Sequence, residues 1–144
     1  MTAITSELEP LYQAAKAAAA QAYAPYSQFP VGVAVRAISG QIYTGCNVEN
    51  ASYGGTVCAE RNAIAAGVVA GVRQFDALMV YTPQEQLTPP CGICRQVIAE
   101  FFLPDTMIYS SNHKEQLQGW TVQQLLPEAF TPMYLANSTK VATE

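Results

Sequence analysis

Cys58-Ala59-Glu60 and, 33 positions after Cys58, Cys91-Gly92-Ile93-Cys94 gather three thiols and one carboxylate into two short stretches. Three sulfurs are a zinc donor set that leaves one coordination position for water, the arrangement of a catalytic rather than a structural zinc. Glu60 stands two residues from a candidate ligand, near enough to exchange a proton with that water without binding the metal. The chemistry within reach of these residues is attack by an activated water. Three thiolates and one Zn²⁺ sum to −1, which weakens the metal as a Lewis acid. Helix N-termini offset part of that charge, by about 0.3–1 kcal/mol per favourable contact. Arg61 and Arg95, each next to one of these residues, can donate hydrogen bonds to thiolates and so help bring the water's pKa from 15.7 towards about 7.

Two plainer readings compete. Cys91-x-x-Cys94 alone can be a redox pair, although Pro90 stands where such pairs commonly carry an aromatic residue. A structural zinc needs a fourth ligand, and only Cys46 and His113 remain to supply one. Cys46 falls in an expected strand, where a lone Cys behaves as a small hydrophobe. His113 falls in a polar turn.

The elements that must position these residues follow from periodicity and punctuation. Thr5 or Ser6 is placed to cap a helix running to about Ala24. Val31 to Ile38 alternates as a strand, Ser39-Gly40 turns, and Gln41 to Cys46 returns. Asn47 to Gly55 reads as loop. A helix is expected from about Val57 to Ala70, closed by Gly71, which puts Cys58 and Glu60 at its start. Phe75 to Tyr81 reads as a buried strand and Thr82 to Pro90 as loop. A helix from near Cys91 through Phe102 puts both of its thiols on one side of the first turn. Met107 to Ser110 and Leu117 to Thr121 read as strands joined by a polar turn, too short a link for a parallel crossover. Thr121 can cap a short helix to Leu126, and the tail from about 131 reads as irregular. The expected fold is a single α/β domain over residues 1–144, a three-layer α/β/α sandwich on a mixed five-stranded sheet.

Composition narrows the function. Half of the 144 residues are hydrophobic, and only 12% are charged, a low fraction that suggests surface hidden in an oligomer. The net charge of −4 and seven scattered basic residues argue against a nucleic acid polymer as partner. The Ala-rich run from Ala14 to Ala22 is too short and polar to span a membrane, and no secretory signal is visible. A cytoplasmic location is expected, where four Cys are free or metal-bound.

Beyond the thiols, several stretches recur in one order: Tyr23-Ala24-Pro25-Tyr26-Ser27 with Phe29 and Val31-Gly32; Gly45-Cys46-Asn47-Val48-Glu49-Asn50-Ala51; Cys58-Ala59-Glu60-Arg61; Pro90-Cys91-Gly92-Ile93-Cys94-Arg95-Gln96; and Leu125-Leu126-Pro127-Glu128-Ala129-Phe130. In these the chain resembles the small homotetrameric cytidine deaminases over nearly its whole length. Its Cys-x-Glu and Pro-Cys-x-x-Cys stretches fit the known signature of zinc nucleobase deaminases. The resemblance implies Zn²⁺ on Cys58, Cys91 and Cys94, and Glu60 as the proton shuttle for attack of water on C4 of cytosine. It implies a small nucleoside substrate, cytidine or 2′-deoxycytidine, converted to uridine or deoxyuridine and ammonia in pyrimidine salvage. Asn47 and Glu49 would hold ribose hydroxyls, although Asn at a loop start also bonds its own backbone. The Ala59 backbone would read the base edge. Phe29 would flank the pyrimidine, or else plug the core. Tyr53 and Phe130 resemble residues that neighbouring subunits contribute, and either can also be simple packing. The stretch Ser52 to Val57 is the least constrained of the matches. Alternatives left open are a deaminase of another cytosine-bearing small molecule, such as a nucleoside antibiotic, a polynucleotide editor, and a non-catalytic zinc-stabilised module.

Overall fold

The computed structural model of the chain describes residues 2–138. One end of its sheet is a hairpin of β2 (Gly32–Ala37) and β3 (Ile42–Cys46), turned at Gly40, whose φ of 97° suits a residue without a Cβ. Val33 and Val35 point to one face of β2 and Ala34 to the other, and all three are buried. A strand buried on both faces must lie between two layers of helices. The helix α1 (Glu9–Ala19) covers one face with Leu11, Tyr12, Ala15 and Ala19. The helices α2 (Ala59–Val69) and α3 (Gly92–Phe101) cover the other through Ala63, Ile64 and Ile98.

Four further strands are β1 (Thr2–Ala3), β4 (Phe75–Thr82), β5 (Met107–Asn112) and β6 (Gln116–Thr121). The sheet order is β1-β6-β5-β4-β2-β3. Among the strands of the described residues only β4 and β5 pair in parallel, and α3 lies on the crossover between them. The α/β/α layering matches the expectation, but the sheet has six strands rather than five. The added strand is β1, paired antiparallel with Gln116 and Leu117. Two residues carry no alternation from which a strand can be read.

Other differences have local causes. Neither Thr5 nor Ser6 caps α1; its N-cap is Leu8, with a proline in the first turn, where its missing N–H costs nothing. The helix stops at Ala19 rather than near Ala24, and Tyr23 instead bridges Val48. Helix propensity in an Ala-rich run is a weak preference that tertiary pairing overrides. Within the tail expected to be irregular, residues 132–138 form α5 (Pro132–Ser138), and residues 139–144 lie outside the described residues. Thr121 does cap α4 (Val122–Leu125), and with Gln124 it closes a capping box.

Two glycines fix the distance between layers. A Cβ on Gly32 would overlap the α1 backbone at Ala15 and Ala19, and one on Gly45 would overlap the α2 backbone at Ala63. Helix and strand backbones touch at both points, so β3 sets where α2 begins.

Candidate active site

Cys58 is the N-cap of α2 and Cys91 the N-cap of α3, both in extended conformation. Neither side chain caps its own helix, so both thiols are free to turn towards the gap between the two helix starts. There the sulfurs of Cys58, Cys91 and Cys94 lie within 4.8 Å of one another, and none is in a disulfide. Zinc fits this donor set. Tetrahedral zinc with sulfur at about 2.3 Å requires S···S of about 3.8 Å, and Cys58 Sγ and Cys91 Sγ are 3.8 Å apart.

The charge balance of the cluster is partly built in. Arg61 Nη2 donates to Cys58 Sγ at 3.7 Å. The Cys58 thiol is brought down to about 5, first by a hydrogen bond from Cys94 and then by Arg61 and Cys91, against its burial. Cys94 moves the other way, because its proton is held on the Cys58 sulfur and its site is buried. One thiolate therefore forms readily, and further deprotonation accompanies metal binding. Arg95 does not join in: its Nε donates to Pro90 O at 2.7 Å and its Nη1 to Leu125 O at 3.0 Å, tying the start of α3 to α4.

Glu60, in the first turn of α2, is 5% exposed. Burial, opposed by hydrogen bonds from its own backbone N–H and from Cys94, raises its carboxyl to about 7. It lines a cavity of about 330 Å³ together with Phe29, Asn47, Glu49, Ala59 and Cys91. That volume suits a small-molecule site. Ala59 is the first residue of α2, so its N–H has no acceptor within the helix, and the residue lines the cavity.

Asn47 and Glu49 reach the same cavity, and both also hold the loop that carries Phe29. Asn47, 8% exposed, accepts from Val31 N at 2.9 Å and donates from Nδ2 to Phe29 O at 2.9 Å. Glu49 accepts from Tyr26 N at 3.0 Å, from Ser27 N at 3.1 Å and from the Ser27 hydroxyl. The Ser27 hydroxyl, followed by its N–H, holds the Glu49 carboxyl below the usual range. Phe29 is therefore a wall of the cavity rather than a plug of the core.

Tyr53 and Phe130 are not brought to this cavity. Tyr53 is 76% exposed and meets Tyr26 edge to face at 5.9 Å over an adjoining hollow. Phe130 is 57% exposed and stacks on Tyr134 at 5.7 Å. Thr56, Val80, Thr88 and Pro89 line the cavity without having been singled out in the sequence. For Thr88 and Pro89 a signal existed, since they lead directly into Pro90-Cys91.

A family model for the zinc-binding region of cytidine and deoxycytidylate deaminases matches residues 5–110. A cytidine deaminase of Sporosarcina psychrophila is 49% identical over 125 residues, 87% of this chain and 92% of that protein. One from Halalkalibacterium halodurans is 46% identical over 110 residues, 76% of this chain and 83% of that protein. Among solved structures, cytidine deaminase from Burkholderia pseudomallei superposes with a TM-score of 0.81 at 43% identity, covering 85% of this chain and 98% of that one.

Proposed function

The chain belongs to the cytidine deaminase family, and from that premise we infer a zinc-dependent hydrolase that converts cytidine to uridine and ammonia. We extend the reading to 2′-deoxycytidine and to a role in pyrimidine salvage. The observation that carries it is a buried carboxyl beside three mutually close sulfurs, with Glu60, Cys58 and Cys91 on the wall of one cavity. Held by Cys58, Cys91 and Cys94, zinc supplies the Lewis acidity that makes water a nucleophile near neutral pH. Glu60 takes one proton from the attacking water and passes it to N3 of the base; it then takes the second proton from the oxygen added at C4 and gives it to the departing amine. A carboxyl that alternates as base and acid works best with a pKa near the operating pH, and its burial supports that role. The Ala59 N–H bonds the base edge, Phe29 flanks the ring, and Asn47 and Glu49 hold the sugar hydroxyls.

The test is to incubate zinc-loaded protein with cytidine, following ammonia release and the ultraviolet change of cytosine to uracil. A zinc-loaded protein that leaves cytidine intact would return the chain to the non-catalytic reading. The same assay separates nucleosides from nucleotides. Among the described residues, no Lys or Arg lines the cavity or the two hollows that share its wall, whereas Glu49 and Glu85 do. A 5′-phosphate would meet carboxylates and no cation, a juxtaposition that costs several kcal/mol. Cytidine 5′-monophosphate is therefore expected to react with kcat/KM at least about 100-fold below that of cytidine. The lack of basic lining also weighs against a polynucleotide substrate.

Glu49→Gln is expected to raise KM for cytidine about tenfold with little change in kcat, as loss of uniform binding does. The penalty should disappear for an analogue lacking the 2′- and 3′-hydroxyls. An equal penalty on both substrates would mean that Glu49 acts only by holding Tyr26 and Ser27.

We further propose a homotetramer in which Tyr53 and Phe130 complete a neighbouring subunit's cavity. Their exposure, with that of Met133, Tyr134 and Leu135, and the low charged fraction of 12% support it. An enzyme that sediments as an active monomer would exclude it. The proposed address is cytoplasmic, where a reducing environment keeps a three-thiol site free of disulfides. No helix among the described residues is long and apolar enough to cross a membrane.

A further inference from the structure

The path from β4 to α3 runs through residues 83–91 without helix or strand. It contains Pro83, Pro89 and Pro90, and it ends on Cys91. Proline has no N–H to give, and a segment outside regular structure must find partners for its remaining backbone groups elsewhere. It finds them on the end of β5, where Ser110, Ser111 and Asn112 are each 0% exposed. Ser110 Oγ donates to Thr88 O at 2.8 Å and accepts from Thr88 N at 3.0 Å. Asn112 Nδ2 donates to Glu85 O at 2.9 Å. Ser111 Oγ donates to Val80 O at 2.8 Å, within the stretch where β4 and β5 are already paired by their backbones.

The Ser110 bonds differ from the others in where their effect goes. Thr88 is itself a wall of the cavity, and Cys91 follows it by three residues. Pro89 and Pro90 lie between, each with φ fixed by its ring, so the link from Thr88 to the Cys91 sulfur is stiff. Its far end is held by Arg95 on Pro90 O. A shift at Thr88 is thus passed to a metal ligand rather than absorbed.

We propose that Ser110 is a positioning residue for the deamination: through Thr88 its hydroxyl sets both the cavity wall and the Cys91 sulfur. The proposal rests on the cytidine deaminase reading above. One hydroxyl serves as donor and acceptor at once, which Ala cannot do and Thr can.

The test compares Ser110→Ala, Ser110→Thr and Ser111→Ala with the parent protein, each zinc-loaded and assayed well below its melting temperature. Two quantities are read: kcat/KM for cytidine, and the rate at which zinc passes to a chromogenic chelator. Ser110→Ala should lose about tenfold in kcat/KM and release zinc about tenfold faster, as small misplacements of reacting groups do. Ser110→Thr should recover most of both. Ser111→Ala, also a buried deletion, should lower the melting temperature but hold kcat/KM within about twofold, because the strand pairing remains. If the two alanine variants lose stability alike and both keep activity and zinc, Ser110 is merely structural and the proposal fails. It fails equally if Ser110→Thr is no better than Ser110→Ala. Should Ser110→Ala not fold, the near-isosteric Ser110→Cys replaces it with the same expected direction; failure of both to fold overturns the proposal, since the hydroxyl would then serve folding. Zinc release does not depend on turnover, so a parent protein inert towards cytidine would refute the reaction and leave the positioning effect measurable.

Discussion

Glu60→Gln is expected to lower kcat for cytidine by about 10³–10⁴-fold, the upper part of the range for a lost general acid–base group. Zinc content should be unchanged. Gln has nearly the volume of Glu, so the packing of a side chain only 5% exposed is kept. Its amide is uncharged, and so no unpaired charge is buried. What it cannot do is take up a proton and give it back. The reaction needs that capacity more than once: a proton leaves the water, N3 receives one, and the amine must leave protonated. KM should move little, because Ala59, Phe29, Asn47 and Glu49 still line the cavity. The measurement is steady-state turnover beside metal analysis of the same sample. A zinc-loaded Gln variant within about tenfold of the parent would remove Glu60 from the proton path.

The part of the site that was legible from the sequence is the part written in side-chain type and helix punctuation. Gly54-Gly55 and Pro89-Pro90 stop the chain just before the helices, which puts Cys58 and Cys91 at their starts and Glu60 and Cys94 in their first turns. Local signals of that kind survive folding. Ser110 and Asn112 were not legible, because polar residues beside a polar turn look like the end of a strand. Their burial depends on partners 22 and 27 positions away. Asn47 shows the same limit: its amide bonds the backbone of Phe29 and Val31, 18 and 16 residues earlier, so holding the loop and lining the cavity are both within its reach. Tyr53 and Phe130 are both exposed in the single chain, and the part proposed for them needs a neighbouring subunit. The strand β1 and the helix α5 were missed because a two-residue strand and an apolar terminal segment give no period against which to read them.

Gly45→Ala is expected to impair the site from a distance, and Gly32→Ala to spare it, although both substitutions create the same kind of clash. A Cβ at Gly45 would overlap the Ala63 nitrogen and stand 2.7 Å from Ala59 O. These are backbone atoms and cannot rotate away, so α2 must move off β3 as a body. The part of α2 that is struck is the part that holds Cys58 and Glu60, whereas Cys91 and Cys94 belong to α3 and stay in place. A shift of about 1 Å between the two helix starts can cost about 10²-fold in kcat/KM, and zinc affinity should fall with it. At Gly32 the Cβ would overlap Ala15 O and stand 2.9 Å from Ala19 Cα, both in α1 on the opposite face of the sheet. Overpacking of this kind costs about 1–3 kcal/mol or more in either protein. Both variants should therefore melt earlier, yet only Gly45→Ala should show weak zinc binding and low kcat/KM in its folded fraction. Zinc titration and turnover at a temperature where both are folded decide the matter. If Gly32→Ala loses zinc as severely as Gly45→Ala, the contact between α2 and β3 is not what positions the metal ligands.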